Sequence, residues 1–228
     1  MADANNGPPP IEALQTGDLL FPRPVDGWVP YLTGHANQSS TYGEEEKEWL
    51  ELRQQIVDGK GVMPPAARAK IGTMSYDEFR AHYGGTGNPA LFGVHFYTGH
   101  VAIFDSGEVI EALWDQYDSV IKHSYADWVK VRGKDLVWQS RLTGKRDADL
   151  RKFCDAARAQ VGKPYDFINF NLLDATGFYC SKLVWFAAKT ALGLALDDHN
   201  NPERIFWYSP KQLLHSKHLT AIQAPDNY

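Results

Sequence analysis

The stretch FYCSKLVWFAA, residues 178–188, places one of the two cysteines of the chain directly before an apolar run of helical character. A helix that begins at Cys180 would surround the thiol with free backbone N–H groups and the positive end of the helix dipole, which favour the reactive thiolate. Gly177, just before it, lets the backbone turn sharply. Cys180 is therefore a candidate nucleophile, although a lone cysteine is also a common packing residue.

The second cysteine, Cys154, lies in DADLRKFCDAARAQV, residues 147–161, which has the apolar spacing of an amphipathic helix. The residues that share its apolar face are Leu150, Phe153, Cys154, Ala157 and Val161. We expect Cys154 to be a core residue. Two cysteines do not make a disulfide framework, and we expect no bridge between them.

The composition indicates a globular protein of 228 residues, with 43% hydrophobic residues and enough apolar side chains for a sizeable core. A net charge of −5 argues against a nucleic-acid partner. No stretch has the roughly 18–20 apolar residues of a membrane span, so no stable membrane anchor is predicted. The N-terminal residues lack the pattern of a secretory signal, which predicts synthesis in the cytoplasm without a signal peptide.

Strands in the middle of the chain, flanked by helices, predict an α+β fold. The predicted strands are 17–21, 100–105, 108–113, 119–124 and 134–142, with a hairpin turn at Ser106-Gly107. The predicted helices are 44–57, 147–161, 180–193 and 209–216, the last with Ser209 as N-cap and Pro210 at its first position. We expect a flexible leader over residues 1–15, then a single domain over 16–228 with an insertion or lid at about 35–90.

A thiolate enzyme needs a base and a group that orients it. His100 opens a predicted strand after Gly99, where its ring can project from the end of a sheet, and the hairpin turn brings Glu111 on the next strand close to it. A structural histidine and a surface carboxylate are the alternative interpretations of these two residues. The other acids that could face His100 are Asp18, Asp105 and Asp166.

Two other kinds of site are disfavoured. The chain has neither His-x-x-x-His nor Cys-x-x-Cys spacing, which disfavours a metal site. It has no G-x-S-x-G elbow, which disfavours a serine hydrolase. We predict no cofactor.

Five motifs follow one another along the chain in this order: GDLLF, GHVAIFDSGEVIEAL, GKPYDFINF, FYCSKLVWFAA and SPKQLL. Together they resemble the circularly permuted branch of the NlpC-type papain-like hydrolases, which contains YiiX-like proteins and the lecithin:retinol acyltransferase relatives. In that branch the histidine precedes the cysteine along the chain. The resemblance covers about residues 16–34 and 92–216, and it implies an antiparallel sheet packed on helices.

Site residues follow from this resemblance position by position. It implies Cys180 as nucleophile, His100 as general base and Glu111 as the group that orients His100. It also implies that Tyr165 lines the cleft, and it marks Asp166 and Tyr179 as candidates for substrate binding. The sequence departs from the family pattern at Lys182, where a solvated side chain is the alternative to an effect on the pocket, and over residues 35–90.

The substrate stays open at this point. The first hypothesis is an amide bond in peptidoglycan stem peptides, reached in the periplasm of a target cell by contact-dependent export as a type VI-type antibacterial effector. Secretion machinery and an immunity protein would then be partners. The alternatives are a lipid ester hydrolase or acyltransferase, a protease or deamidase acting on a cytoplasmic protein, and a binding scaffold without activity.

Overall fold

A six-stranded antiparallel sheet organises the part of the chain that the structure describes. The structure is a computed structural model, and it describes residues 6–25, 42–83, 99–114, 117–204, 208–225 and 228. The strands are β1 (Leu19–Arg23), β2 (Ala102–Asp105), β3 (Glu108–Leu113), β4 (Ser119–Ser124), β5 (Leu136–Leu142) and β6 (Leu219–Gln223). Their spatial order is β4-β3-β2-β1-β5-β6, and all neighbours are antiparallel.

Along the chain, the α-helices that the structure describes lie between the strands. They are α1 (Tyr42–Val57), α2 (Pro65–Thr73), α3 (Tyr76–Tyr83), α4 (Tyr125–Arg132), α5 (Asp147–Arg158), α6 (Cys180–Leu192) and α7 (Pro210–Leu214). This confirms the α+β prediction and each of the predicted strands and helices, with changes at their ends. Within the described residues, no helix has both the length and the apolar character needed to cross a membrane.

The helix α6 lies at the centre of the main core. Its first nine residues, Cys180 to Ala188, are all buried, which requires contacts around its whole circumference. It packs against α5 and against strands β2 and β3. The helix ends at Gly193, whose left-handed backbone (φ +66°) is the usual way to close a helix.

The two faces of the sheet bury different clusters because side chains alternate along each strand. Ile103 and Ile110 face the main core, together with helices α5 and α6. Ala102 and Val109 face a second, smaller core. The same core contains Leu20 of β1, Val137 of β5, and Tyr125 and Trp128 of α4. The sheet therefore carries a buried layer on both sides.

The predicted helix 147–161 ends earlier than its apolar pattern indicates. α5 stops at Arg158, so Val161 lies beyond the helix and its side chain is 44% exposed. The expectation that Val161 shares the buried face is wrong. Cys154 is buried and both cysteines are free, as expected.

Four of the elements given above were not predicted: the helices α2 and α3 in the predicted insertion, the helix α4 and the strand β6. The helix α4 begins after Ser124, whose hydroxyl accepts a hydrogen bond from the Asp127 N–H, so a capping pattern was present in the sequence. The strand β6 is short and mostly exposed, and it lacks the alternation that identifies a half-buried strand.

The described part of the predicted insertion shares the main core. Trp49, Ile56, Ile71 and Phe79 are buried there, and the rings of Trp49 and Phe79 stack with centroids 3.8 Å apart. Residues 35–41 and 84–90 lie outside the described residues. A lid function for this region stays a prediction.

Residues at the start of the described chain are attached to the sheet. The carbonyl oxygen of Asn6 accepts a hydrogen bond from the Val137 N–H at 2.9 Å. The carbonyl of Gly7 accepts one from the Gln223 side chain at 2.8 Å. The part of the predicted leader from residue 6 onward is thus hydrogen-bonded to β5 and β6, while residues 1–5 lie outside the described residues.

Candidate active site

Cys180 is the first residue of α6. The preceding residue, Tyr179, has an extended backbone (φ −101°, ψ 166°), so the chain enters the helix from an extended segment. The thiol is mostly buried, with 7% of the residue exposed. The first turn of the helix directs its free N–H groups toward this position, where they can stabilise negative charge on the thiolate or on a bound oxyanion.

The imidazole of His100 lies between a carboxylate and the thiol. Its Nε2 atom is 2.6 Å from Oε2 of Glu111. The side chain of His100 is also hydrogen-bonded to Cys180. Since Nε2 is engaged with the carboxylate, Nδ1 is the ring nitrogen left for the thiol.

The register of the hairpin β2–β3 brings Glu111 close to His100. Ile103 pairs with Ile110, within the register that the turn at Ser106-Gly107 predicts. Glu111 lies one residue further along β3, next to the start of β2, and only 1% of it is exposed. A buried carboxylate needs hydrogen-bond partners, and His100 provides one of them.

A second histidine, His123, binds the other oxygen of the same carboxylate. Its Nε2 atom is 2.7 Å from Oε1 of Glu111. His123 lies on β4 opposite Val109, so it shares a sheet face with Glu111 and is its diagonal neighbour. The sequence analysis missed this residue, although the register of the predicted strands 108–113 and 119–124 would have brought it there.

The pKa values of His100 and Glu111 are shifted so that both side chains are charged at neutral pH. Burial lowers the pKa of His100, but its hydrogen bonds to Cys180 and Glu111, and their charges, outweigh burial and raise that pKa to about 9. Burial raises the pKa of Glu111, but its hydrogen bonds with His100 and His123, with the charges of His100 and Arg132, lower that pKa to about 2. Glu111 is therefore a carboxylate at neutral pH, and His100 is an imidazolium beside the thiol.

The segment between α5 and α6 holds Tyr165 next to the site. The Tyr165 N–H donates to the carbonyl of Asp118 at 2.9 Å, and Tyr165 also pairs with Phe178, two residues before Cys180. Burial and the nearby charge of Cys180 raise the pKa of the Tyr165 phenol. The structure thus places Tyr165 beside Cys180, where the resemblance implied a residue that lines the cleft.

The other two candidates for substrate binding have structural partners. The hydroxyl of Tyr179 accepts a hydrogen bond from the Tyr208 N–H at 3.0 Å, and the residue is buried. Asp166 is half-buried, and its Oδ1 accepts a hydrogen bond from the Ile168 N–H at 3.1 Å. Their part in substrate binding stays a prediction.

Lys182 is fully buried, so the alternative of a solvated side chain is wrong. Its Nζ donates to the carbonyl of Gly177 at 2.8 Å, and its ammonium lies over the ring of Phe178. Burial lowers the pKa of Lys182 to about 7, against the charges of Asp174 and Asp166. Lys182 therefore supports the turn that precedes the nucleophile.

Two of the three alternative acids, Asp18 and Asp105, bind arginines in the structure. Asp18 accepts from the Nε and Nη2 atoms of Arg141 at 2.7 and 2.9 Å. Asp105 accepts from Arg158, with its Nε at 3.1 Å. Glu111 is thus the acid that the structure brings to His100. Among the described residues, no group of three or more His, Cys, Asp or Glu side chains is arranged to hold a metal ion.

These features define a class of protein: an antiparallel sheet carries a histidine and a carboxylate, and a later helix begins at the cysteine that meets them. A family model for permuted papain-like amidase enzymes (YaeF/YiiX, C92 family) matches residues 96–224. The chain belongs to this permuted papain-like amidase family, which supports a cysteine amide hydrolase in general.

Other comparisons are less informative. The crystal structure of metalloprotein yiiX from Escherichia coli O157:H7 has a TM-score of 0.46 and 16% identity, over 92% of this chain and 96% of that chain. A search of curated proteins finds no significant match.

Proposed function

We propose that this protein is a cysteine amidase in which Cys180 is the nucleophile, His100 the general base and Glu111 the residue that orients His100. One observation carries the proposal: the His100 ring is hydrogen-bonded to the buried carboxylate of Glu111 at 2.6 Å and also to the thiol of Cys180. This order of groups is the one that a thiol nucleophile needs, because the carboxylate selects the tautomer and orientation of the base.

The reaction proceeds in two stages. The Cys180 thiolate attacks the amide carbonyl carbon, and the N–H of Cys180 at the start of α6 stabilises the oxyanion. The His100 imidazolium gives its proton to the leaving amine, the C–N bond breaks, and a thioester remains. His100, now neutral, takes a proton from water, the water oxygen attacks the thioester, and the thiol and a carboxylic acid are released.

Variants test the chemistry directly. Cys180→Ala and His100→Gln are each expected to lower the rate of amide hydrolysis by orders of magnitude, because the pair acts as a unit. Cys154→Ala is the matched control, since Cys154 is also buried but lies in the middle of α5. Full activity of Cys180→Ala would refute the proposal.

We propose peptidoglycan stem peptides as the substrate. The support is the membership of an amidase family, together with the resemblance of five ordered motifs to NlpC-type hydrolases. Purified protein and Cys180→Ala would be incubated with peptidoglycan, and the released muropeptides analysed by mass spectrometry. The expected result is a Cys180-dependent loss of cross-links or stem peptides. The masses of the released muropeptides then identify the bond that is cleaved.

An unchanged muropeptide profile would refute this substrate. If Cys180 is still labelled by iodoacetamide near neutral pH in that preparation, the thiol chemistry stands, and lipid esters and cytoplasmic proteins are the next substrates to test. The outcome therefore separates the substrate from the mechanism.

The proposal extends to a role as an antibacterial effector that acts in the periplasm of a target cell. Expression directed to the periplasm is expected to lyse Escherichia coli, and the Cys180→Ala variant should be harmless. Co-expression of an immunity protein would relieve the lysis. An innocuous periplasmic form that is folded and active on purified peptidoglycan would contradict the effector role.

A further inference from the structure

The hydroxyl of Tyr228 binds the backbone of His100 on both sides. It accepts a hydrogen bond from the His100 N–H at 3.0 Å and lies 3.0 Å from the His100 carbonyl oxygen, to which it donates. Tyr228 is 3% exposed, and its ring packs edge-on against Phe21 of β1 and Trp138 of β5. One side chain thus joins the centre of the sheet to the histidine of the site.

The register of β1 and β2 explains why a side chain is needed there. Leu19 pairs with Ile103 and Leu20 with Ala102. Continued by two residues, this register would place His100 opposite Pro22, which has no backbone N–H. The carbonyl of His100 therefore cannot receive the hydrogen bond that a strand partner would donate, and the phenol hydroxyl supplies it.

The orientation of the backbone agrees with this interpretation. The N–H of Phe104 donates to the carbonyl of Asp18, so the even-numbered residues of β2 direct their backbone groups toward β1. His100 has the same parity. Its N–H and carbonyl consequently face the position where β1 has a proline and where the Tyr228 hydroxyl lies.

Gly99 makes room for this hydroxyl. Its backbone has a φ of +89°, which favours glycine, and a Cβ atom built there would lie 2.6 Å from Oη of Tyr228. The close approach depends on the absence of a side chain at residue 99. Glycine at 99, proline at 22 and tyrosine at 228 thus form one local arrangement around the His100 backbone.

We propose that Tyr228 is a positioning residue for His100. Its hydroxyl holds the backbone of His100 where β1 no longer can, and this keeps the imidazole between Cys180 and Glu111. A displacement of about 1 Å in such a group can cost roughly 100-fold in rate. The inference rests on the proposed function in that it takes His100 as the base.

Tyr228→Phe tests the inference because it removes the hydroxyl and keeps the ring that packs on Phe21 and Trp138. Tyr208→Phe is the matched control: Tyr208 is also buried, and within the described part of the chain its hydroxyl has no hydrogen-bond partner. The readout is the rate of Cys180 alkylation by iodoacetamide as a function of pH, measured by mass spectrometry of the labelled peptide. No substrate is needed.

In the wild type, the His100 imidazolium lies beside the Cys180 thiol and can stabilise its thiolate, the form that reacts with iodoacetamide. Tyr228→Phe is expected to move the midpoint of alkylation up by about one pH unit, a tenfold change in the thiolate equilibrium. Tyr208→Phe should leave it unchanged. Gly99→Ala displaces the same hydroxyl from the other side and should shift the midpoint in the same direction as Tyr228→Phe.

If the alkylation profile of Tyr228→Phe superimposes on that of the wild type, the inference is overturned. This holds even if the melting temperature of the variant falls, because a residue with only a structural role would lower stability and leave the profile unchanged. His100→Gln separates this failure from a failure of the proposed function. If His100→Gln shifts the profile and Tyr228→Phe does not, the base stands and the positioning role is wrong. If neither shifts it, both are wrong.

Discussion

The carboxylate of Glu111 makes the sharpest prediction about the site. Glu111→Gln keeps the size of the side chain but removes its charge, at a position where 1% of the residue is exposed and both oxygens face histidines. A glutamine amide has one oxygen and one NH₂ group. It therefore cannot accept a hydrogen bond from both His100 and His123, and one of the two rings must change its tautomer or move.

The magnitude follows from the change in hydrogen bonding. A hydrogen bond to a charged group is worth about 1.5–3 kcal/mol and a neutral one about 0.5–1.5 kcal/mol, so the loss is about 1–2 kcal/mol. At about 1.4 kcal/mol per pKa unit, the pKa of His100 is expected to fall by roughly one unit. In the wild type that pKa is raised to about 9, so activity should decline as the pH rises through this value and His100 loses its proton. In Glu111→Gln the decline should begin about one pH unit lower.

The assay is kcat/KM for amide hydrolysis between pH 5 and 10, with the alkylation profile of Cys180 measured in parallel. We expect about a tenfold loss of kcat/KM at the optimum, equivalent to about 1.4 kcal/mol, and the earlier alkaline decline. Glu108→Gln is the control, because Glu108 lies on the same strand but faces Lys122 at the surface. An alkaline limb at the wild-type position in Glu111→Gln would refute the reasoning that links this carboxylate to the base.

Three further predictions concern the rest of the molecule. Iodoacetamide near neutral pH should label Cys180 and leave Cys154 unmodified in the folded protein, because burial raises the pKa of the Cys154 thiol to about 12; equal labelling in a peptide-resolved mass spectrum would contradict this. Ser209→Ala should lower the free energy of unfolding by about 1 kcal/mol in urea titrations, because the Ser209 hydroxyl accepts the hydrogen bond that begins α7; an unchanged midpoint would show that this cap contributes nothing. Asp18→Ala should cost about 3 kcal/mol, because it leaves Arg141 without the buried carboxylate it binds through two nitrogens; a loss below 1 kcal/mol would mean that Arg141 finds water instead.

Much of the fold could be predicted from the sequence because its signals are local. The alternation in 108–113 and 119–124, and the turn at Ser106-Gly107, depend on neighbouring residues alone, and both strands have the predicted ends. The helix that begins at Cys180 was likewise visible in its apolar run and in the glycine at its end. The predictions were wrong where tertiary contacts determine burial. Val161 is an example, because it was predicted on the buried face of the helix and lies beyond the end of α5.

The candidate site divides in the same way. The hairpin register was sufficient to bring Glu111 close to His100, because both lie within one short antiparallel unit. The approach of Cys180 to His100 joins residues 80 positions apart, and the sequence indicated it only through the order of five motifs in a resemblance. The hydrogen bond of Cys180 to His100 and the neighbouring place of Tyr165 appear only in the tertiary structure.

By itself, the sequence determined the residue types that can do thiol chemistry and the secondary structure that presents them, since nucleophile, base and acid each sit in a locally recognisable element. Only the tertiary structure decided which groups complete the site. It placed His123 on the second oxygen of Glu111, buried Lys182 under the turn before the nucleophile, and brought Tyr228 to the backbone of His100. The physical reason is that a hydrogen bond depends on the distance and direction between two atoms, and for residues far apart in the chain these are determined by how sheet and helices pack.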